Sequence, residues 1–350
     1  MKVAIDLSSA QAGGGVTYVR ELLPRLRALP GLEVGPVLVR SALAASAGEA
    51  LAGAQVVDAE RRTAPTSRAW RKAVAQSRPD VIYVPTELAF WRYRQPTVLA
   101  ARNAMYYPPH VAEYPRSRRV RFSARRLLAM QSVRAADAVI AVSEYARSTV
   151  AHHGLKRRQG VEVIYHGGPP ERPPHTYHSD TRRFLLVSNL YRYKNLHRLL
   201  TALGRIGPGW QLRVVGKFFE PEYEQSVMSL VDGLGLRAQV SFLGHRSGDE
   251  LAAEYAAAEV FVWPSYAETF GHPLLEARGH GLPLLVADAA SNREIAGEAA
   301  AYFDPWDEAS IERAAREAIE EPIAGASLPR AYDWDLCALQ TAGVLRATAR

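Results

Sequence analysis

Residues 183–207 read RFLLVSNLYRYKNLHRLLTALGRIG. The opening RFLLV is the kind of apolar run that a strand covered on both faces of a parallel sheet requires. After the polar turn SNLYRYK, Leu196, Leu199, Leu200, Leu203 and Ile206 recur at helical spacing. Strand, loop and helix follow one another within 25 residues, which is half of a βαβ unit. The same rhythm continues downstream, with strands expected at Phe184–Ser188, Leu212–Val215, Val240–Leu243, Val260–Trp263 and Leu284–Ala287. Upstream it recurs at Val3–Leu7, Val34–Val39, Val81–Val84, Thr97–Leu99, Ala138–Val142 and Val161–Tyr165. The fold class is α/β, two doubly wound parallel-sheet domains of Rossmann type.

Between the two series stands HGGPPERPPHTYHSD, residues 166–180, too rich in Gly, Pro and His for a helix or a central strand. We expect an N-terminal domain over 1–168, a linker over 169–180 and a C-terminal domain over 181–333, with a last helix at about 334–350. Two such domains facing each other leave a cleft at the C-terminal ends of their strands, where open parallel sheets bind ligands.

Composition narrows the classes further. A chain of 350 residues, 48% hydrophobic and 23% charged, is neither disordered nor fibrous. No apolar run is long enough to span a bilayer, and the single Cys337 cannot form an intramolecular disulfide. MKVAIDLSSA opens on a strand-like run without a signal-peptide pattern, so a cytoplasmic setting is expected. The net charge of +7 is unevenly spread: residues 1–170 hold 25 Lys and Arg against 12 Asp and Glu, and residues 171–350 hold 18 against 24. The first half should therefore face something anionic. Seven arginines lie in RSRRVRFSARRLLAMQSVR, 116–134, with Val120, Phe122, Leu127, Leu128 and Met130 between them. A solvated helix side, a membrane-surface helix and a nucleic-acid face all fit this stretch, but no stacking platform or nucleic-acid motif supports the last.

Three loops follow strands and carry chemistry. Gly13, Gly14 and Gly15 precede a helix-like run, so backbone amides there can approach a phosphate or a sugar. In SNLYRYK, Arg192 and Lys194 stand beside a helix start with Asn195 as expected N-cap, and a forked and a compact cation together suit a diphosphate. In YAETFGHPLLE, 266–276, Pro273 suits a first helical turn. Glu268 and Glu276 stand on either side of that helix start, able to accept from hydroxyls on both sides of a diphosphate. No metal-ligand cluster stands out.

This last segment resembles the Glu-x7-Glu motif of the retaining family 4 glycosyltransferases of GT-B fold. ADAVIAVSEYAR (136–147), VEVIYHGG, LLVSNLYRYKNLHRLLTAL and PLLVADAASNREIAGEAAAYFDP (283–305) are similar to further parts of that family. YDWDLCALQTAGVL is similar to its terminal helix, which crosses back onto the first domain. The resemblance implies transfer of a hexose-type sugar from a GDP- or UDP-linked donor to an acceptor hydroxyl, with no divalent cation and no other cofactor. It makes Glu268, Lys194 and Arg192 catalytic. Glu276, Phe270, Gly271, Thr269, Ser188, Asn189, Gly216, Lys217 and His245 become the donor site, and Gly13, Gly14, Gly15, Arg102, Asn103 and His110 the acceptor and phosphate loop.

Two departures stand out. Many members carry the clamp arginine five residues before the lysine, where this chain has Asn189. A His-Asp pair of the first domain is replaced by Ala101-Arg102-Asn103-Ala104-Met105, a pattern similar to transferases acting on bacterial surface polysaccharides. The implied partners are a glycan, lipid-linked or phosphorylated acceptor and an anionic membrane touched peripherally at its inner face, with no nucleic acid. A sugar-nucleotide epimerase of the same architecture is the alternative enzyme. A nucleic-acid or anionic-surface binding protein is the alternative outside enzymes.

Overall fold

The computed structural model describes residues 1–10, 14–52, 55–58, 64–89, 93–103, 110–152, 160–173, 181–323 and 326–349. The chain divides into two compact units, Met1–Gly167 with Asp333–Arg350, and Gly168–Tyr332.

Unit 1 runs β1 (Lys2–Asp6), α1 (Gly14–Ala28), β2 (Glu33–Val39), α2 (Ser41–Ala47), β3 (Val56–Asp58), α3 (Ala64–Ser77), β4 (Val81–Val84), β5 (Thr97–Ala101), α4 (Arg116–Ala135), β6 (Ala138–Ala141), α5 (Glu144–His152) and β7 (Val161–Val163). Its sheet is parallel, in the order β3-β2-β1-β4-β5-β6-β7. The chain winds outward from β1 to β3 and then crosses back to β4, so the switch point lies between β1 and β4.

Unit 2 runs β8 (Arg182–Val187), α6 (Leu196–Gly204), β9 (Trp210–Val215), α7 (Pro221–Gly233), β10 (Val240–Gly244), α8 (Asp249–Ala257), β11 (Val260–Trp263), α9 (His272–Gly279), β12 (Leu284–Ala287), α10 (Ala290–Ala296), β13 (Ala300–Phe303) and α11 (Glu308–Glu320). Its parallel order, β10-β9-β8-β11-β12-β13, puts the switch point between β8 and β11. A last helix, α12 (Trp334–Thr348), belongs to unit 1. Its Trp334, Cys337, Ala338 and Leu345 join the core formed by Leu22 and Leu26 of α1 and Ile5 of β1. Asp333 caps α12 by accepting from the amides of Asp335 (2.6 Å) and Leu336 (3.0 Å).

The central strands are apolar and buried along their whole length, as VIYV and VFVW are, because helices cover both faces. Two strands lie outside the series expected from sequence. β3 is only VVD, and β13 is AAYF, with no β-branched residue to mark it. The segment after Gly167 is tied to unit 2. Glu171 pairs with Arg278 and accepts from the Leu328 amide, and the Arg172 amide donates to Arg278 O at 3.0 Å. Residues 174–180 of the expected linker lie outside the described residues.

Candidate active site

The loops after β8 and β11 meet at the switch point of unit 2. Ser188 leaves β8 with its amide on Val215 O (2.8 Å), and the Leu190 amide donates to Lys217 O (2.8 Å), so the loop lies along the end of β9. Gly216, at φ +139°, makes this approach feasible, since a Cβ there would stand 1.7 Å from Ser188 O. Residues Arg192–Lys194 then form one 3-10 turn. Asn195 occupies the left-handed region (φ 62°) between this turn and α6. Its side chain does not cap α6, contrary to expectation. The amide Nδ2 donates to Pro305 O (2.8 Å) and Oδ1 accepts from Arg198 (2.9 Å), so Asn195 ties the turn to the end of β13.

The turn sends Lys194 across the switch point, where its Nζ pairs with Glu268 Oε1. Both side chains are largely buried, at 10% and 13% exposure, and the ammonium stands 4.7 Å from the Trp263 ring centroid and 5.0 Å from that of Tyr193. Coulomb attraction and ring faces together hold the cation at the end of β11. Sequence reading gave these two residues separate tasks; the structure brings them into one pair. Arg192 is not part of this pair. Its amide donates to Glu220 Oε2 (2.9 Å), and its guanidinium lies 5.9 Å from the Tyr223 ring centroid with Nε buried and without a hydrogen-bond partner.

Gly271, at φ +84°, precedes α9, and Pro273 stands in the first turn as expected. Thr269 is half-buried and Phe270 fully buried, packed edge-on against Tyr332 (5.6 Å). Glu276 accepts from Tyr255 Oη (2.8 Å). Burial raises its carboxyl above the ordinary value, against the opposing effect of that hydrogen bond. Tyr255 in turn stacks flat on His280 at 4.9 Å. Ser188 is buried and Asn189 half-buried in the first loop, whereas Lys217 and His245 are exposed on the loops after β9 and β10. Neither makes side-chain contact with the Lys194–Glu268 pair in the contacts described.

In unit 1, Gly14 and Gly15 open α1. Gly13 and the side chain of His110 lie outside the described residues. Arg102 and Asn103 follow β5, with the Arg102 guanidinium 3.9 Å from the Tyr18 ring centroid and donating to Pro85 O (3.2 Å). Sequence reading missed Glu87, only 5% exposed, in the loop after β4. Its one signal was position: PTELAF places a carboxylate at the third residue after the strand VIYV. Among the described residues no cluster of three or more His, Cys, Asp or Glu is arranged to hold a metal ion.

The model of the glycosyl transferases group 1 matches residues 169–332, and that of glycosyltransferase family 4 matches 12–172. The chain belongs to the group 1 and family 4 glycosyltransferases. Among its relatives in this family are the O-antigen chain mannosyltransferase RfbU of Salmonella typhimurium and the serotype-specific mannosyltransferase WbdA of Escherichia coli. RfbU is 28% identical over 200 residues, which are 57% of this chain and 56% of RfbU. WbdA is 33% identical over 132 residues, 37% of this chain and 16% of WbdA. The chain thus spans little more than half of one relative and a small part of the other. HepE of Anabaena, solved in complex with UDP-glucose, superposes with a TM-score of 0.73 at 21% identity, over 99% of this chain and 100% of that one. The two parallel-sheet units are those of the GT-B fold.

Proposed function

We propose that this glycosyltransferase moves a hexose-type sugar from a nucleoside-diphosphate sugar to an acceptor hydroxyl with retention of anomeric configuration, in the synthesis of a bacterial surface polysaccharide or related glycoconjugate. The observation that carries this reading is the Lys194–Glu268 pair across the unit 2 switch point, immediately before the N-terminus of α9. The names of RfbU and WbdA favour mannose as the sugar and a surface glycan as the product. HepE, bound to UDP-glucose, keeps a UDP-linked donor alongside a GDP-linked one.

In this reading the donor diphosphate lies at the start of α9. Lys194 and Arg192 offset the charge that develops on it as the bond from the anomeric carbon to the phosphate oxygen breaks. A preorganised cation at that position is worth a factor of about 10²–10³ in turnover. The acceptor oxygen bonds to the anomeric carbon on the face the phosphate leaves, and its proton passes to the departing phosphate oxygen. Glu268 orients Lys194 and accepts from a hydroxyl of the donor sugar. Glu276 accepts from the ribose, and the backbone at Phe270 and Gly271 completes the site with Thr269, Ser188, Asn189, Gly216, Lys217 and His245. Positive charge comes from side chains and helix amides, so chemistry proceeds without a divalent cation. Unit 1 takes the acceptor, and its basic helix α4 meets an anionic membrane surface.

Lys194→Ala should lower kcat by about 10²-fold or more, whereas Glu276→Ala should chiefly raise the donor Kd, by roughly tenfold. Radiolabelled transfer and titration with GDP and UDP read the two effects. Wild-type values in both variants would overturn the assignment. Label recovered only in an isomeric nucleotide sugar, with no new glycoside, would make the protein an epimerase instead.

A further inference from the structure

The ends of β1, β4 and β5 in unit 1 hold a buried polar cluster that the donor chemistry does not use. The Glu87 carboxylate accepts from the backbone amide of Arg102 and from the side chain of Asn103, and Arg102 lies close enough to act on it electrostatically. Ser9 bridges the switch point, its Oγ hydrogen-bonded to Thr86 Oγ1 and donating to Leu88 O (2.9 Å). Asp6, fully buried at the end of β1, accepts from the Ser8 amide (2.8 Å) and from Tyr93 Oη. Tyr18 and Tyr83 share a hydrogen bond beneath the Arg102 guanidinium.

Counted by charge, the described side chains in these contacts offer two carboxyls, Asp6 and Glu87, and one guanidinium, Arg102. Among the described titratable groups that act on Arg102 are the phenols of Tyr18 and Tyr83 and the thiol of Cys337, all raised by burial and neutral near pH 8, and the buried His166 packs on Tyr18 at 4.8 Å. Among the described side chains, a phosphate entering here would meet one cation already offset by a carboxylate, a costly arrangement in a buried site. A sugar hydroxyl both donates and accepts, and suits a lining of carboxylates, hydroxyls and an amide.

We infer that the acceptor group received at these strand ends is an uncharged sugar hydroxyl, and that Glu87 selects it by anchoring Asn103 and offsetting the charge of Arg102. Glu87 is a positioning residue. It acts through Arg102 and Asn103, which are half-buried and nearer to solvent. The inference rests on the glycosyltransferase reading above. It commits that reading to a neutral acceptor end, and any phosphate of a lipid-linked acceptor then lies outside this cluster.

The test uses the full chain at pH 8 with GDP-mannose and UDP-glucose, and a panel of octyl hexopyranosides, each paired with its own 6-phosphate. The wild type should use a neutral glycoside with a kcat/KM at least tenfold above that of the matching phosphate. Glu87→Gln keeps the shape but removes the charge. It should narrow or reverse that ratio by tenfold or more through the acceptor KM, with the donor KM unchanged, and Glu87→Asp should restore part of it. Asn103→Ala, at a half-buried loop position, should act in the same direction and stands in if Glu87→Gln fails to fold.

Preference for the phosphate, use of no neutral glycoside, or a ratio that stays within twofold of the wild type in the folded variants would overturn the inference. Donor binding and transfer in those cases would leave the glycosyltransferase reading standing. A wild type that neither binds GDP or UDP nor transfers label to any acceptor would bring down both.

Discussion

Burial of Glu87 has a consequence for stability that can be measured without a substrate. Desolvation lifts its carboxyl from the ordinary 4.5 to about 7, although the hydrogen bonds from Arg102 and Asn103 and the nearby guanidinium all pull the other way. Between those two values the folded protein keeps a proton that the unfolded chain has released. The contribution of this group to stability is therefore complete below pH 4.5 and is lost as pH rises through 7. Because each pKa unit corresponds to about 1.4 kcal/mol, the loss between pH 5 and pH 8 amounts to about 2 to 3 kcal/mol. Glu87→Gln has no proton to lose. Urea unfolding of both proteins at pH 5 and pH 8 should show the variant gaining on the wild type by that amount at the higher pH. A difference that stays constant with pH would mean that Glu87 is ionised throughout. The Lys194–Glu268 pair illustrates the other side of residue-scale physics. Its two charges can lie largely buried in unit 2 because each is the other's partner and two rings face the ammonium.

Two loops can lie against each other at the C-terminal ends of β8 and β9 because Gly216 has no side chain. With φ at +139° and Ser188 O 1.7 Å from the position a Cβ would take, Gly216→Ala must push the β8 and β9 loops apart. Backbone on both sides leaves no flexible side chain to yield. The variant should lose about 3 kcal/mol, a fall of roughly 6–12 °C in the melting of unit 2, together with affinity for GDP or UDP. Calorimetry with and without nucleotide reads both, and an unchanged melting temperature would contradict the close approach.

The same element shows what a sequence makes legible. RFLLV, VIYV and VFVW declare themselves because strands buried on both faces must be apolar throughout, and the leucine spacing of 196–203 marks α6 as plainly. β3 and β13 do not, since VVD is too short and AAYF too rich in alanine to differ from a helix. Pro273 announces the start of α9. Nothing in the spacing reveals that Lys194 reaches Glu268, that Asn195 uses its side chain on Pro305, or that Tyr255 supports Glu276, because these contacts join residues that only the sheet order brings together. Glu87 was hidden for a related reason: a lone glutamate ordinarily lies in solvent, and only the neighbouring strand ends bury this one.

On the scale of the whole molecule, the excess positive charge of residues 1–170 gathers most densely on α4, which carries seven arginines and no acidic residue. Phe122, Ala129 and Val133 turn inward from this helix. At 3.6 residues per turn, Val120, Ala124, Leu127 and Gln131 fall on the opposite side with Leu128 beside them. Val120, Leu127 and Leu128 are 69%, 58% and 49% exposed. Arg121 and Arg125 border this apolar stripe on one side, and Arg116 and Arg134 on the other. A merely solvated face would gain nothing from leucines at its centre, whereas a helix lying at an anionic bilayer surface buries the stripe and sets the arginines among the headgroups. Sedimentation with vesicles containing phosphatidylglycerol should therefore carry the protein down, and pure phosphatidylcholine should not. Each arginine near the surface contributes about 1 kcal/mol, so Arg121→Glu with Arg125→Glu should weaken binding by well over tenfold. Added salt should weaken the wild type in the same direction. Leu127→Glu should also release the protein, and raised salt should not abolish the difference between it and the wild type, because what it removes is apolar burial. Equal partitioning on both lipids would return α4 to solvent. Binding that tracks charge alone, with Leu127→Glu equivalent to any single added acid elsewhere on unit 1, would make the surface a general anion-attracting face without an inserted stripe.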